Sequence, residues 1–339
     1  MAAFAVLGAL IAAVLAAGCG GGGGASSSTG ESEGGTEPLR LGVSFDLYNS
    51  ARTAEKKGIE DAVAEAGGEI VSFQVADEDP AKQASQIETM IQSNGANAIL
   101  VIPSDSAQIA SSIGFAKSQG VPVVVEDRGV EDTSQIAFQV TGEPETDGMA
   151  VGEYLAGLDQ PQKVIELVGA LTDENAVGRK NGFNKAIEGS GNVELLQEVP
   201  TNWDREEALN GLTAALRSHP DVTAVFTPSD YLDPSVESAL KSASRWAPIG
   251  SPKHVNLLQI DGDQNGCRLL KTKYSNYDNV TPLEEFGAKA VHAAVEVLEG
   301  KEPPQKTETL PGFSATAENF KEKESEIWGC TAPPEEEEG

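Results

Sequence analysis

The chain has 339 residues, with 53 acidic against 24 basic side chains and a formal net charge of -29. No Lys/Arg cluster interrupts this acidic field, which makes nucleic acid and anionic lipid surfaces poor partners. The length exceeds what one hydrophobic core usually serves, so two lobes are expected.

Residues 1–18 carry no charged side chain, are dominated by Ala, Leu, Val and Ile, and stop at Cys19. The run is shorter than the roughly 20 apolar residues that comfortably span a bilayer, and Gly20 to Gly24 follow at once, so a cleaved export signal is expected. Leu15-Ala16-Ala17-Gly18-Cys19 resembles the lipobox of bacterial lipoproteins, which implies that Cys19 becomes a diacylated N-terminus and anchors the protein to the membrane. Residues 19–37 are rich in Gly, Ser, Thr and Glu with almost nothing to bury, the composition of a flexible tether. Past Cys19 only Cys267 and Cys330 remain, and an exported protein lives where such a pair oxidises, so they are expected to form a disulfide worth roughly 4 kcal/mol.

From residue 39 onward, short Val/Ile/Leu-rich runs alternate with amphipathic stretches, the βαβ rhythm of a parallel sheet. The first strands are expected at 39–45, 69–75, 98–102 and 121–125. Between them lie helices at 53–66, 80–92 and 105–118, the last started by Asp105 as N-cap. A less regular strand at 135–140 leads into the connection Thr141-Gly142-Glu143-Pro144. The rhythm then restarts with helices at 145–156, up to 187, 205–217 and 235–244. Strands at 164–168, 193–199, 222–226 and 255–260 alternate with these. A last helix spans 282–298, its apolar face running through Phe286, Ala290, Ala293, Ala294 and Val297. Glu335 to Glu338 read as a solvated tail at 331–339.

Ligands of open parallel sheets sit beyond the carboxyl ends of the strands. The residues found there are Asp46, Asp127, Arg128, the 172–175 segment with Asn175, Trp203, Ser229, Asp230 and Asp261. A sugar presents hydroxyls that both donate and accept, together with an apolar C–H face. Carboxylates accept from those hydroxyls, guanidinium and amide groups donate to them, and a flat aromatic covers the C–H face. The sequence Asp261-Gly262-Asp263-Gln264-Asn265-Gly266 matches half of a calcium loop, but its twelfth position is Thr272, so a turn is expected and no metal. His219, His254 and His292 have no metal or triad spacing, and no cofactor motif is present.

Several segments carry a family likeness. They are Ala76-Asp77-Glu78-Asp79-Pro80-Ala81-Lys82-Gln83, Ile102-Pro103-Ser104-Asp105-Ser106, Val121-Pro122-Val123 running into Asp127-Arg128, and Ala224-Val225-Phe226 leading to Ser229-Asp230. Ile260-Asp261-Gly262 and Gly287-Ala288-Lys289 complete the set. In order and spacing the chain resembles, from residue 39 to about 320, the type I periplasmic sugar-binding proteins of ABC importers, the ribose- and xylose-binding family.

The resemblance implies an α/β fold of two doubly wound parallel-sheet lobes joined by three crossings near Thr141, Thr281 and Leu310. The last helix then returns to the first lobe, giving lobes of 38–141 plus 282–309 and 142–281 plus 310–330. It implies ligand contacts from Asp127, Arg128, Trp203, Ser229 and Asp261. Thr172-Asp173-Glu174-Asn175-Ala176 looks like the xylose-binding branch and adds Asn175, as Asp46 and Arg52 do, since Ala51 and Arg52 stand where the ribose branch has phenylalanines. Ile102 replaces a family asparagine and Val177 an arginine. The function implied is capture of a monosaccharide, with a pentose such as xylose favoured, by a monomeric lipoprotein that hands it to ABC permease subunits, without catalysis. A sugar-sensing receptor shares every site residue, and a glycoside hydrolase using Asp127 and Asp230 is the rival from another class.

Overall fold

The computed structural model describes residues 37–331. The export segment, Cys19, the tether up to residue 36 and the tail beyond residue 331 lie outside the described residues.

The first lobe is built on β1 (Arg40–Phe45), α1 (Ser50–Glu65), β2 (Glu69–Val75), α2 (Pro80–Gln92), β3 (Ala98–Val101), α3 (Ala110–Ser118), β4 (Val123–Asp127) and β5 (Phe138–Thr141). Local chemistry starts these helices. Asp79 accepts from the amides of Ala81 and Lys82 at 2.9 and 3.1 Å, and Pro80, which has no amide hydrogen to satisfy, opens α2. β3 and β4 are buried at every residue, as expected of strands covered by helices on both faces.

The second lobe holds α4 (Pro144–Ala156), β6 (Gln162–Val168), α5 (Glu174–Ile187), β7 (Val193–Pro200), α6 (Arg205–Ser218), β8 (Ala224–Phe226), α7 (Asp233–Ser242), β9 (Asn256–Asp261), α8 (Gln264–Lys271) and β10 (Tyr277–Val280). The chain continues through α9 (Leu283–Leu298), β11 (Thr307–Thr309), β12 (Phe313–Thr316), α10 (Phe320–Lys323) and α11 (Trp328–Thr331). The two sheets run β11-β5-β4-β3-β1-β2 and β12-β10-β9-β8-β6-β7. All pairings are parallel except that of β12 with β10.

The chain therefore passes between the sheets after β5, after β10 and after β11, and α9 packs back on α1 of the first lobe. Asp147 of α4 binds two of these crossings together. Its Oδ1 accepts from Asn279 Nδ2 at 2.8 Å and from the Gly312 amide at 3.3 Å. Burial pushes this carboxyl up to about 6.

Several elements depart from the sequence reading. α3 begins at Ala110 instead of residue 105, because Asp105 accepts from the amides of Ala107 and Gln108 and so caps a separate turn. The second sheet gains β10, whose central Asp278 and Asn279 hide the strand from an apolar pattern although both are buried. The short β11 and β12 complete one edge of each sheet.

Candidate functional site

The carboxyl ends of β1, β4, β6, β7, β8 and β9 converge on a cleft between the lobes. Three residues that line it, Asp127, Trp203 and Asp261, have φ of 59°, 61° and 117°. Non-glycine side chains seldom adopt this region, and such strain gathers at functional sites. Here it breaks each strand or its following loop abruptly and turns the side chain into the cleft.

From the first lobe the cleft is lined by Arg52, Asp127 and Arg128, with Leu47 and Ala51 as apolar neighbours; the second lobe contributes Asp173, Asn175, Arg179, Trp203, Ser229 and Asp261. The cavity is small, ≈ 40 Å³.

Arg52 sits at the centre of the first-lobe wall. Its Nε and Nη2 donate to Asp46 Oδ1 and Oδ2 at 2.7 and 2.9 Å, the bidentate geometry that fixes a guanidinium plane. Its Nη1 donates to both oxygens of Glu55 and lies 2.9 Å from Asp127 Oδ2. Arg128 Nη2 lies 2.9 Å from the same Asp46, and its Nη groups reach Glu78 at 3.2 Å. Burial alone would raise the Asp46 carboxyl, but Arg128 and Arg52 outweigh it and hold this group below the usual carboxylate range. Glu55 and Glu126, equally buried, are pushed well above that range by desolvation.

The second-lobe wall is organised by Arg179, one helical turn past Asn175 on α5. Its Nη2 donates to Asp261 Oδ1 and its Nη1 to the Pro228 carbonyl, both at 2.7 Å, while Nε has no hydrogen-bond partner among the described residues. Ser229 Oγ donates to the other Asp261 oxygen at 2.6 Å. Burial raises the Asp261 carboxyl in spite of Arg179. Trp203 is buried, and its Nε1 donates to Asp173 Oδ2 at 2.9 Å. A β-carbon at Gly169 would lie 2.3 Å from the Trp203 ring, so only glycine there leaves the indole its seat.

Three polar contacts cross the cleft. Asn175 Nδ2 donates to Asp127 Oδ1 at 2.8 Å, Arg128 Nε lies 3.3 Å from Asp173 Oδ2, and Ser50 Oγ donates to Asp263 Oδ2 at 2.6 Å.

Of the residues singled out in the sequence, Arg52, Asp127, Arg128, Asn175, Trp203, Ser229 and Asp261 line the cavity, while Asp46 and Asp230 do not. Asp46 is fully buried behind the two arginines it orients. Asp230 is turned away because it opens a short 3-10 turn, Asp230–Leu232, that Ser229 caps. Ser229 faces the cleft, and the Asp230 Oδ2 accepts from the amides of Gly262 and Asp263, both at 2.7 Å. The calcium-like segment is a turn in which Asp263 caps α8 through the amides of Asn265 and Gly266, and no acidic, His or Cys group among the described residues is arranged to hold a metal. Cys267 and Cys330 are joined in a disulfide.

Arg179 and Asp173 were not singled out. The signal for Arg179 was present: Asn175 and Arg179 are four apart on one helix, hence on one face. Asp173 lies in the flagged 172–175 segment and serves both as N-cap of α5 and as the partner of Trp203.

A family model described as a periplasmic binding protein domain matches residues 42–302. The ribose import binding protein of Bacillus subtilis (strain 168) is 27% identical over 282 residues, covering 83% of this chain and 88% of its own. The xylitol-binding protein of Mycolicibacterium smegmatis is 26% identical over 264 residues, covering 77% and 73%. Among solved structures, an ABC transporter solute binding protein from Bacillus halodurans C-125 with bound myo-inositol aligns with a TM-score of 0.77 at 21% identity, over 86% of this chain and 99% of that one. At that identity the likeness speaks to the fold alone. No helix among the described residues is long and apolar enough to cross a membrane.

Proposed function

Because the chain belongs to the periplasmic binding protein domain family, we propose that it captures a neutral, polyhydroxylated small molecule between its lobes and hands it to an ABC importer. A monosaccharide or the corresponding polyol is the ligand class, with a pentose such as xylose first among them. The protein works outside the cytoplasm, as a monomer held to the membrane through Cys19, and its ligand leaves chemically unchanged.

The observation that carries this reading is the charge balance of the cleft. Arg52, Arg128 and Arg179 each contact a buried carboxylate, respectively Asp46, Asp173 and Asp261. Each guanidinium that lines the cleft is thus already paired with a protein carboxylate, which disfavours a ligand carboxylate or phosphate. Hydroxyls suit such a lining, since they accept from Arg179 Nε and donate to carboxylate oxygens. Trp203 supplies the flat face for C–H groups, as only one side of a sugar ring needs.

The cavity of ≈ 40 Å³ accommodates about three waters at roughly 10–15 Å³ each. A compact ligand is therefore favoured, and the lobes stand slightly further apart around a whole monosaccharide. The experiment is a thermal-shift screen across pentoses, hexoses, inositols and acyclic polyols, with intact recovery of the ligand checked by mass spectrometry. A ligand at 100 times its dissociation constant adds about 2.7 kcal/mol of stability. A screen in which no neutral sugar or polyol raises the melting temperature rejects the reading.

A further inference from the structure

The carboxylate of Asp261 lines the cavity, yet its backbone is held from outside it. Asp261 has φ 117°, a conformation almost confined to glycine, and its carbonyl oxygen accepts two hydrogen bonds. One comes from the Thr281 amide at 3.1 Å, in the crossing after β10, and the other from the indole Nε1 of Trp328 at 2.8 Å. Trp328 is buried and belongs to the short terminal helix α11. The next residue continues the contact, as the Gly329 amide donates to the Gly262 carbonyl at 3.0 Å. A β-carbon on Gly329 would lie 2.0 Å from the Asp263 carbonyl carbon, so the two backbones touch. Cys330 then bonds to Cys267 of α8, the helix that Asp263 caps. The terminal segment thus backs three successive residues. The first presents a carboxylate to the cleft, and the third accepts the interlobe hydrogen bond from Ser50.

We infer that Trp328, seated by the Cys267–Cys330 disulfide, is a positioning residue for Asp261, so that ligand affinity is set in part by a C-terminal segment lying outside the cleft. The affinity half of this statement rests on the reading of the cleft as the ligand site; the positioning half does not. Trp328 touches no ligand. It keeps a strained peptide in the one conformation that aims Asp261 at Arg179 and Ser229.

The test uses the full chain and Trp328→Phe, which keeps an aromatic ring in the site while removing the N–H together with part of the indole's volume. Hydrogen exchange is followed at the amides of Gly262, Asp263 and Thr281, and calorimetry measures affinity for D-xylose, D-ribose and xylitol. The variant is expected to exchange about fivefold faster at those three amides, with amides of β6 and α5 unchanged. It should also bind whichever probe the parent binds about fivefold more weakly, the worth of one net hydrogen bond. Reduction of the parent with dithiothreitol should move the same amides in the same direction. Unchanged exchange at residues 262, 263 and 281 in both the variant and the reduced protein overturns the proposal. If the parent binds none of the three probes, the proposed ligand class is at fault, and the exchange data still decide whether Trp328 positions Asp261.

Discussion

Asn175 Nδ2 donates to Asp127 Oδ1 at 2.8 Å across the cleft, joining the first turn of α5 in one lobe to the end of β4 in the other. Both side chains also line the cavity, so one of the contacts that join the lobes is part of the proposed ligand surface. On the proposed reading, closure and recognition share these residues, and a ligand would shift the population toward the closed form by its preference for that form.

Asn175→Ala removes the donor and leaves one Asp127 oxygen without its cross-cleft partner. Apparent affinity should fall about tenfold, equivalent to about 1.4 kcal/mol. Small-angle scattering at subsaturating ligand should show a larger radius of gyration than the parent at the same concentration. Equal affinity and equal compaction would remove this contact from the account.

Gly169→Val tests the seat of Trp203. The new side chain would collide with the indole, whose ring already lies within 2.5 Å of a β-carbon at that position. Binding should be lost as thoroughly as in Trp203→Ala, and the fluorescence maximum should shift to the red as the buried indole is displaced. A variant with parental fluorescence and affinity would show that the loop accommodates the change.

Arg179→Met leaves the Asp261 carboxylate buried with Ser229 as its remaining strong donor. Breaking a buried ion pair by removing one partner costs roughly 3–5 kcal/mol, which urea denaturation will read. Adding Asp261→Asn should restore most of the stability while binding stays absent. Recovery of binding in the double variant would mean that neither group touches the ligand.

Asp278 and Glu166 carry carboxyls that burial pushes up to about 8. Such groups keep a proton in the folded protein at a pH where the unfolded chain has released it. Their contribution to stability is therefore complete below the unfolded values near 4 and is lost as pH rises through about 8. Asp46, held below the usual range, acts in the other direction and favours folding above its unfolded value. Asp278→Asn removes the cost of ionising a fully buried carboxyl and should stabilise the protein at pH 8 by about 1–3 kcal/mol, with the gain vanishing near pH 4. A gain of the same size at both pH values would contradict the assignment.

The alternation of apolar runs with amphipathic helices was enough to place most strands of both sheets, because strands covered on both faces must be apolar throughout. β10 escaped that logic. Tyr277-Asp278-Asn279-Val280 reads as polar, yet Asn279 is needed at the crossing where it donates to Asp147. Strand-end reasoning found Asp127 and Asp261, since each parallel sheet presents the carboxyl ends of its strands at one edge and these two edges line the cleft. It overreached at Asp230, which opens a 3-10 turn after β8 and so puts its carboxylate under the 262–263 turn. It passed over Arg179 because that residue lies a turn inside a helix, visible only through its spacing from Asn175. The hydrogen bond from Trp328 was not legible in the sequence, although the expected Cys267–Cys330 disulfide ties the C-terminal turn to the helix that follows β9.

The most direct test of the central claim is isothermal titration of the protein with D-xylose and xylitol beside their acid counterpart, D-xylonate. A cleft whose arginines are already paired with carboxylates predicts saturable one-to-one binding of at least one neutral compound and no measurable heat from the acid. Tighter binding of D-xylonate than of either neutral compound would contradict it.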